Sequence, residues 1–119
     1  MDLTLQINRE KVNSGRVYLY VTGRILKAYE LSAFILTRCF PDIELSEEID
    51  RRTTSIIYAS SVDVDFAVGN EAYEIWVGND YVEMRILDVM IKSKIPEWIM
   101  EFEQMKAQRR IDCIALHKL

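Results

Sequence analysis

Val68-Gly69-Asn70-Glu71 and Val77-Gly78-Asn79-Asp80 repeat one turn signature nine residues apart, inside a segment, Val62–Ile91, that otherwise alternates apolar and polar residues. Gly followed by a small polar residue suits a two-residue type II′ hairpin loop, because Gly takes the positive φ of the first central position without a Cβ clash. Two such loops predict three antiparallel strands, a meander over about 61–91. The register they would set puts Phe66 against Tyr73, Val64 against Ile75, and Ile75 against Val82. Side chains alternate along a strand, so Val62, Val64, Phe66, Tyr73, Ile75, Val77, Val82, Met84 and Ile86 would gather on one face as a core. The other face would gather Asp63, Asp65, Glu74, Trp76, Tyr81, Glu83 and Arg85, with Asp65, Glu74 and Glu83 abreast across three strands.

The flanks predict further elements. Leu3, Leu5 and Ile7 alternate with polar residues, as do Val17, Leu19 and Val21 with their neighbours, which reads as a first hairpin joined through Asn13-Ser14-Gly15. From about Arg24 to Phe40 the spacing turns helical and the helix is apolar around most of its girth, ending before Pro41. Over 46–52, Ser46 resembles an N-cap, and Glu47/Arg51 and Glu48/Arg52 are i,i+4 pairs, so helix is the expectation there. The strand-favouring Thr53 to Tyr58 offers the alternative of an extended run into the meander. Pro96 suits the first turn of a helix over about 95–110, with Ile95, Trp98, Ile99, Phe102 and Met105 on one face. Ile111 to Leu116 reads as a short apolar strand. The sum is a two-layer α+β domain spanning 1–119, its helices on the apolar side of a mainly antiparallel sheet.

Charge narrows the partners. The net charge of −4 is unevenly spread, for residues 59–91 hold seven acids against the single base Arg85. Direct nucleic-acid binding needs a clustered basic footprint and is disfavoured. Cys39 and Cys113 lack C-x-x-C spacing, and one histidine, His117, does not complete a zinc site with them, so the cysteines read as buried thiols and His117 as a surface residue. No cofactor or metal is called for. The first residues are polar and the longest apolar runs are far short of a membrane span, which points to a cytoplasmic protein.

Three neighbouring carboxylates repel one another, by roughly 1 kcal/mol per pair at about 5 Å in water and about 3 kcal/mol at an effective dielectric near 20. A solvated face with Arg85 as internal counterion is one account of them. Trp76 and Tyr81 on the same face favour another, a recognition patch. The expectation is a protein-binding module of inhibitor, immunity or chaperone type rather than an enzyme, docking a basic protein surface through Asp63, Asp65, Glu74, Trp76, Tyr81, Glu83 and Arg85. The apolar girth of the Arg24–Phe40 helix, and the Ile111–Leu116 strand, also point to a homodimer.

The element order of helix, three antiparallel strands, helix and strand, with Asp63 or Asp65 on one strand and Glu83-Met84-Arg85 on another, resembles the core of the PD-(D/E)xK nucleases. The resemblance covers about half the chain and implies a divalent cation held by those acids and activating water. Arg85 stands where that family has Lys, and an Arg stays protonated.

Overall fold

The computed structural model describes residues 3–117, with their side chains as far as Asp112. In chain order the elements are α1 (Thr4–Lys11), β1 (Val17–Thr22), β2 (Ile25–Tyr29), α2 (Glu30–Cys39), β3 (Ser46–Ile49), β4 (Ile56–Asp63), β5 (Tyr73–Val77), β6 (Val82–Ile86), α3 (Val89–Lys92) and α4 (Ile95–His117). Every strand pairing among the described residues is antiparallel, and the strands form one six-stranded sheet in the order β3-β4-β2-β1-β6-β5. The α+β architecture is the expected one. Its wiring differs.

One sheet face presents Val17, Leu19, Leu26, Ala28, Tyr58, Val62, Val82 and Met84, and α2 packs on it with Leu31, Ala33, Phe34, Ile35 and Leu36. Phe102 of α4 closes this layer, its ring 5.3 Å from Phe34 and 5.9 Å from Tyr58. The opposite face carries a smaller cluster of Tyr20, Tyr29, Ile57 and Ala59, against which Leu3 and Ile7 pack.

That second cluster explains why Leu3–Lys11 is not a strand. Leu3 and Ile7 stand four residues apart and share one side of a helix, while Leu5, which the alternation would have buried, is exposed. Glu10, a turn further on, is the buried residue of the helix. Its carboxylate accepts the Ser32 backbone N–H at 2.8 Å and the Ser32 hydroxyl at 2.6 Å, so α1 is tied to the first turn of α2.

The expected helix over 24–40 is a strand followed by a helix. Thr22 pairs with Ile25 around Gly23-Arg24, and Gly23 has φ of 65°. A Gly-led two-residue loop therefore exists, but here, and it turns Ile25–Tyr29 back along β1. The helix expected over 46–52 is also corrected: Ser46–Ile49 is an edge strand paired with Ile56–Ala59. Glu48 meets Lys27 at 2.7 Å and Glu47 meets Arg109 at 3.0 Å, so both acids find tertiary partners in place of Arg52 and Arg51. At the other end, α4 continues through Ile111–Leu116 as helix. No Gly or Pro follows Pro96 to stop it, and Ala107 to Arg110 are good helix formers. The side chains of Cys113 and His117 lie outside the described residues. Cys39 is half-buried and free, and burial raises its pKa.

The meander does not form. β4 and β5 are separated by β2, β1 and β6, and residues 64–72 carry the chain between them in successive turns, Phe66 N–H to Asp63 O, Val68 N–H to Asp65 O and Asn70 N–H to Ala67 O. Phe66 anchors the crossing by meeting Phe40 at 5.4 Å, and Phe40 in turn meets Tyr73 at 4.9 Å. Only the second of the two repeated turns joins neighbouring strands.

Candidate functional site

The β5–β6 hairpin pairs Val77 with Val82, Trp76 with Glu83, Ile75 with Met84, and Glu74 with Arg85. Its loop is four residues, Gly78–Tyr81, closed by Gly78 N–H to Tyr81 O at 2.8 Å. Gly78 is not left-handed. It is small because the Tyr81 ring lies so close that a Cβ there would approach it to 2.8 Å. The register is displaced by two residues from Ile75 against Val82, and a shift of two preserves the alternation. Glu74, Trp76, Glu83 and Arg85 therefore do share a face.

Asp63 and Asp65 do not join them. Asp63 ends β4 opposite Ile25 and Asp65 lies in the turns beyond, so both stand on the far side of β1 and β2. They border a cleft of about 490 Å³ beside Phe40 and Phe66. The row of three carboxylates is absent for that reason. The same separation keeps Asp63 and Asp65 from Glu83, so these acids are not placed to share a cation as the nuclease resemblance implies. Among the described residues no group of three His, Cys, Asp or Glu is placed to hold a metal ion.

Glu83 is buried between two arginines. Arg85 Nε lies 3.1 Å from one carboxylate oxygen and Arg16 Nη1 lies 3.7 Å from the other. Arg85 also stacks on Trp76, its guanidinium carbon 4.0 Å from the ring. Glu83 thus serves as an internal counterion that orients Arg85 under the indole. Tyr81 is separately occupied. Its ring packs edge-on to Tyr18 at 5.3 Å, and Arg9 of α1 sits 4.4 Å from it. Arg9 donates to the Tyr20 hydroxyl at 2.9 Å and to both Asp80 oxygens at 3.2 Å, while burial raises the Tyr20 pKa. This cage clamps α1 to the hairpin loop. Arg9→Ala is expected to lower stability by about 1–3 kcal/mol, because it strips a tyrosine hydroxyl and an aspartate of a shared donor. Urea unfolding measures it, and an unchanged midpoint would mean the clamp is idle.

What remains open on the hairpin is its rim. β5 is an outermost strand, and among the described residues nothing pairs with its free side. Gly78 bonds to Tyr81 and Leu87 N–H bonds to Ala72 O, so the antiparallel ladder places the β6-directed bonds at Glu74 and Trp76. The N–H and C=O groups of Ile75 and Val77 face outward. Ile75 is 42%, Trp76 46% and Val77 81% exposed. Ile75 and Val77 were read from sequence as core residues. The signal available was Tyr-Glu-Ile-Trp-Val without a Lys or Pro, the residues that usually guard an edge strand. Arg9 and Arg16 had no such signal.

No family model, curated protein or solved structure matches this chain. Among the described residues no helix is long and apolar enough to cross a membrane.

Proposed function

We propose that this protein is a small acidic protein-binding module that takes an extended segment of a basic partner onto the outer edge of β5. The observation that carries this is an unpaired edge strand whose outward backbone groups lie beside three exposed apolar side chains, Ile75, Trp76 and Val77. Main-chain hydrogen bonds would supply affinity and alternate side chains the specificity, as in strand addition generally. Trp76, held flat by Arg85, is the anchor. Glu74 lies exposed on β5 itself, so a basic side chain of the incoming segment meets an acid at this edge.

A second copy fits this edge less well, since it would set one acidic hairpin against another. The homodimer expected through α2 loses its ground too, because Leu31 to Leu36 are buried within one chain. A cytoplasmic setting, where thiols stay reduced, suits the free Cys39.

Selection from a displayed library of random peptides is expected to enrich sequences that alternate apolar and basic residues. Val77→Pro removes an outward N–H while leaving the β6 pairing intact, since Pro is tolerated at such edge positions. It should abolish capture of those peptides with little change in melting temperature, and Trp76→Ala should weaken them by roughly 30-fold or more. Peptides that bind Val77→Pro and wild type alike would rule the edge out.

A further inference from the structure

At the opposite edge of the sheet, α1, the β3–β4 loop and the Lys106–Arg110 stretch of α4 border a cleft of about 610 Å³. Four bases line it, Lys11 from α1 and Lys106, Arg109 and Arg110 from α4. On a chain with a net charge of −4 this is a local reversal of sign. The acids nearby are already committed. Glu30 accepts the Tyr58 N–H at 3.0 Å and lies 3.4 Å from Lys106, completing the ladder where β2 has ended. Asp50 shapes its own loop, accepting the Arg52 N–H at 3.0 Å and the Thr53 hydroxyl at 3.1 Å. Arg109 is matched by Glu47. Lys11 and Arg110 have no ion-pair partner among the described residues.

Size and floor say more. The volume falls within the range of small-molecule sites, roughly 300–1,000 Å³, and well above what a bare inorganic ion fills. Ile7, Ile56 and Ile57 give the cleft an apolar wall between its two basic flanks. The described non-glycine residues with positive φ, Glu30 at 50° and Thr54 at 57°, both line this same cleft. A β-branched residue in that region is strained, and such strain persists where the surroundings over-determine it, often around a ligand.

We infer that this cleft is a binding site for a small amphipathic organic anion, with Lys11 and Arg110 meeting the charged head and Ile7, Ile56 and Ile57 covering the apolar body. A phosphate and a carboxylate share the head-group chemistry required, and the two are told apart by the probe. The site is independent of the β5 edge and stands or falls without it.

The test is an NMR titration of the whole chain, following backbone amides, with phenyl phosphate, benzoate, phenol and inorganic phosphate as probes. Phenyl phosphate or benzoate is expected to produce saturable shifts confined to Thr53–Ile57, Lys11 and Lys106–Arg110, and the tighter of the two names the head group. Phenol and inorganic phosphate should each bind about tenfold or more weakly, since each supplies half of the match. The Lys11→Gln/Arg110→Gln double variant alters two exposed side chains and keeps the fold, which its own spectrum verifies; it should weaken the better probe by about tenfold or more. Shifts scattered over the surface, an equal response to inorganic phosphate alone, or a double variant that binds like wild type would each overturn the proposal.

Discussion

Glu10→Gln is expected to raise stability by about 1 kcal/mol or less at pH 5 and by up to about 3 kcal/mol at pH 8. Glu10 is buried without a cationic partner, and burial pushes its pKa from 4.5 up to about 7 against the opposing hydrogen bonds from Ser32 and Asn13. The folded protein therefore keeps a proton that the unfolded chain releases near 4.5. Stability from this group is fully present below that value and is lost as the pH rises through about 7. Gln reproduces the neutral form at every pH. Its oxygen can accept the Ser32 N–H and the Asn13 amide, now at 2.8 and 3.1 Å from Glu10 Oε1, and its amide can donate to Ser32 Oγ. The hydroxyl of Ser32 is then free to turn to the Arg16 carbonyl, 3.3 Å away, while still accepting the Tyr18 N–H at 2.9 Å. Urea unfolding of both proteins at pH 5 and pH 8 isolates the effect, because other carboxylates titrate alike in the two. A variant less stable than wild type at pH 8 would show that the fold favours the carboxylate form of Glu10 over the neutral one. Glu10→Ala should be destabilising at pH 5, since it leaves the buried Ser32 N–H unmet.

The same network shows where sequence patterns stop being informative. Glu10 sits in a stretch that reads as a polar connection, and nothing local announces that its partner is 22 residues away. Glu47 and Glu48 present the opposite case. Their spacing to Arg51 and Arg52 is a sound helical pattern, but Arg109 and Lys27, 62 and 21 residues distant, satisfy them across the sheet. Local charge spacing is worth only a few tenths of a kcal/mol and yields to strand pairing. The alternating residues of β5 and β6 were legible, and so was the shared face of Glu74, Trp76, Glu83 and Arg85, because parity survives a two-residue change of loop length. The neighbours of β4 were not legible. Gly69 is left-handed, with φ of 77°, as a hairpin glycine would be, yet it ends a run of turns that crosses the sheet. A glycine can require a turn without stating which strand comes next. Asp63 and Asp65 were placed beside Glu74 on that inference alone.

Ile35→Ala is expected to cost about 2–5 kcal/mol and to lower the melting temperature by roughly 10 °C or more. Ile35 has no exposed surface and lies in a helix whose residues Leu31 to Leu36 are all buried. A helix apolar on all sides must be covered on all sides. Here the sheet covers one flank through β1, β2 and β4, and Phe102 of α4 is part of what covers the other, with Arg38 and Glu101 bridging the two helices at 2.9 Å. Because the cover comes from the same chain, the wild-type unfolding midpoint should not move with protein concentration, whereas a subunit covering α2 would make it rise. Phe102→Ala separates the alternatives further. It removes a ring from against Phe34 and Tyr58, so it should cost about 3–5 kcal/mol and make a monomeric protein prone to associate through the face it uncovers. If Phe102→Ala instead leaves stability unchanged, α4 is not what shields α2. A concentration-dependent midpoint in wild type would then restore the second subunit that the apolar girth of this helix first suggested.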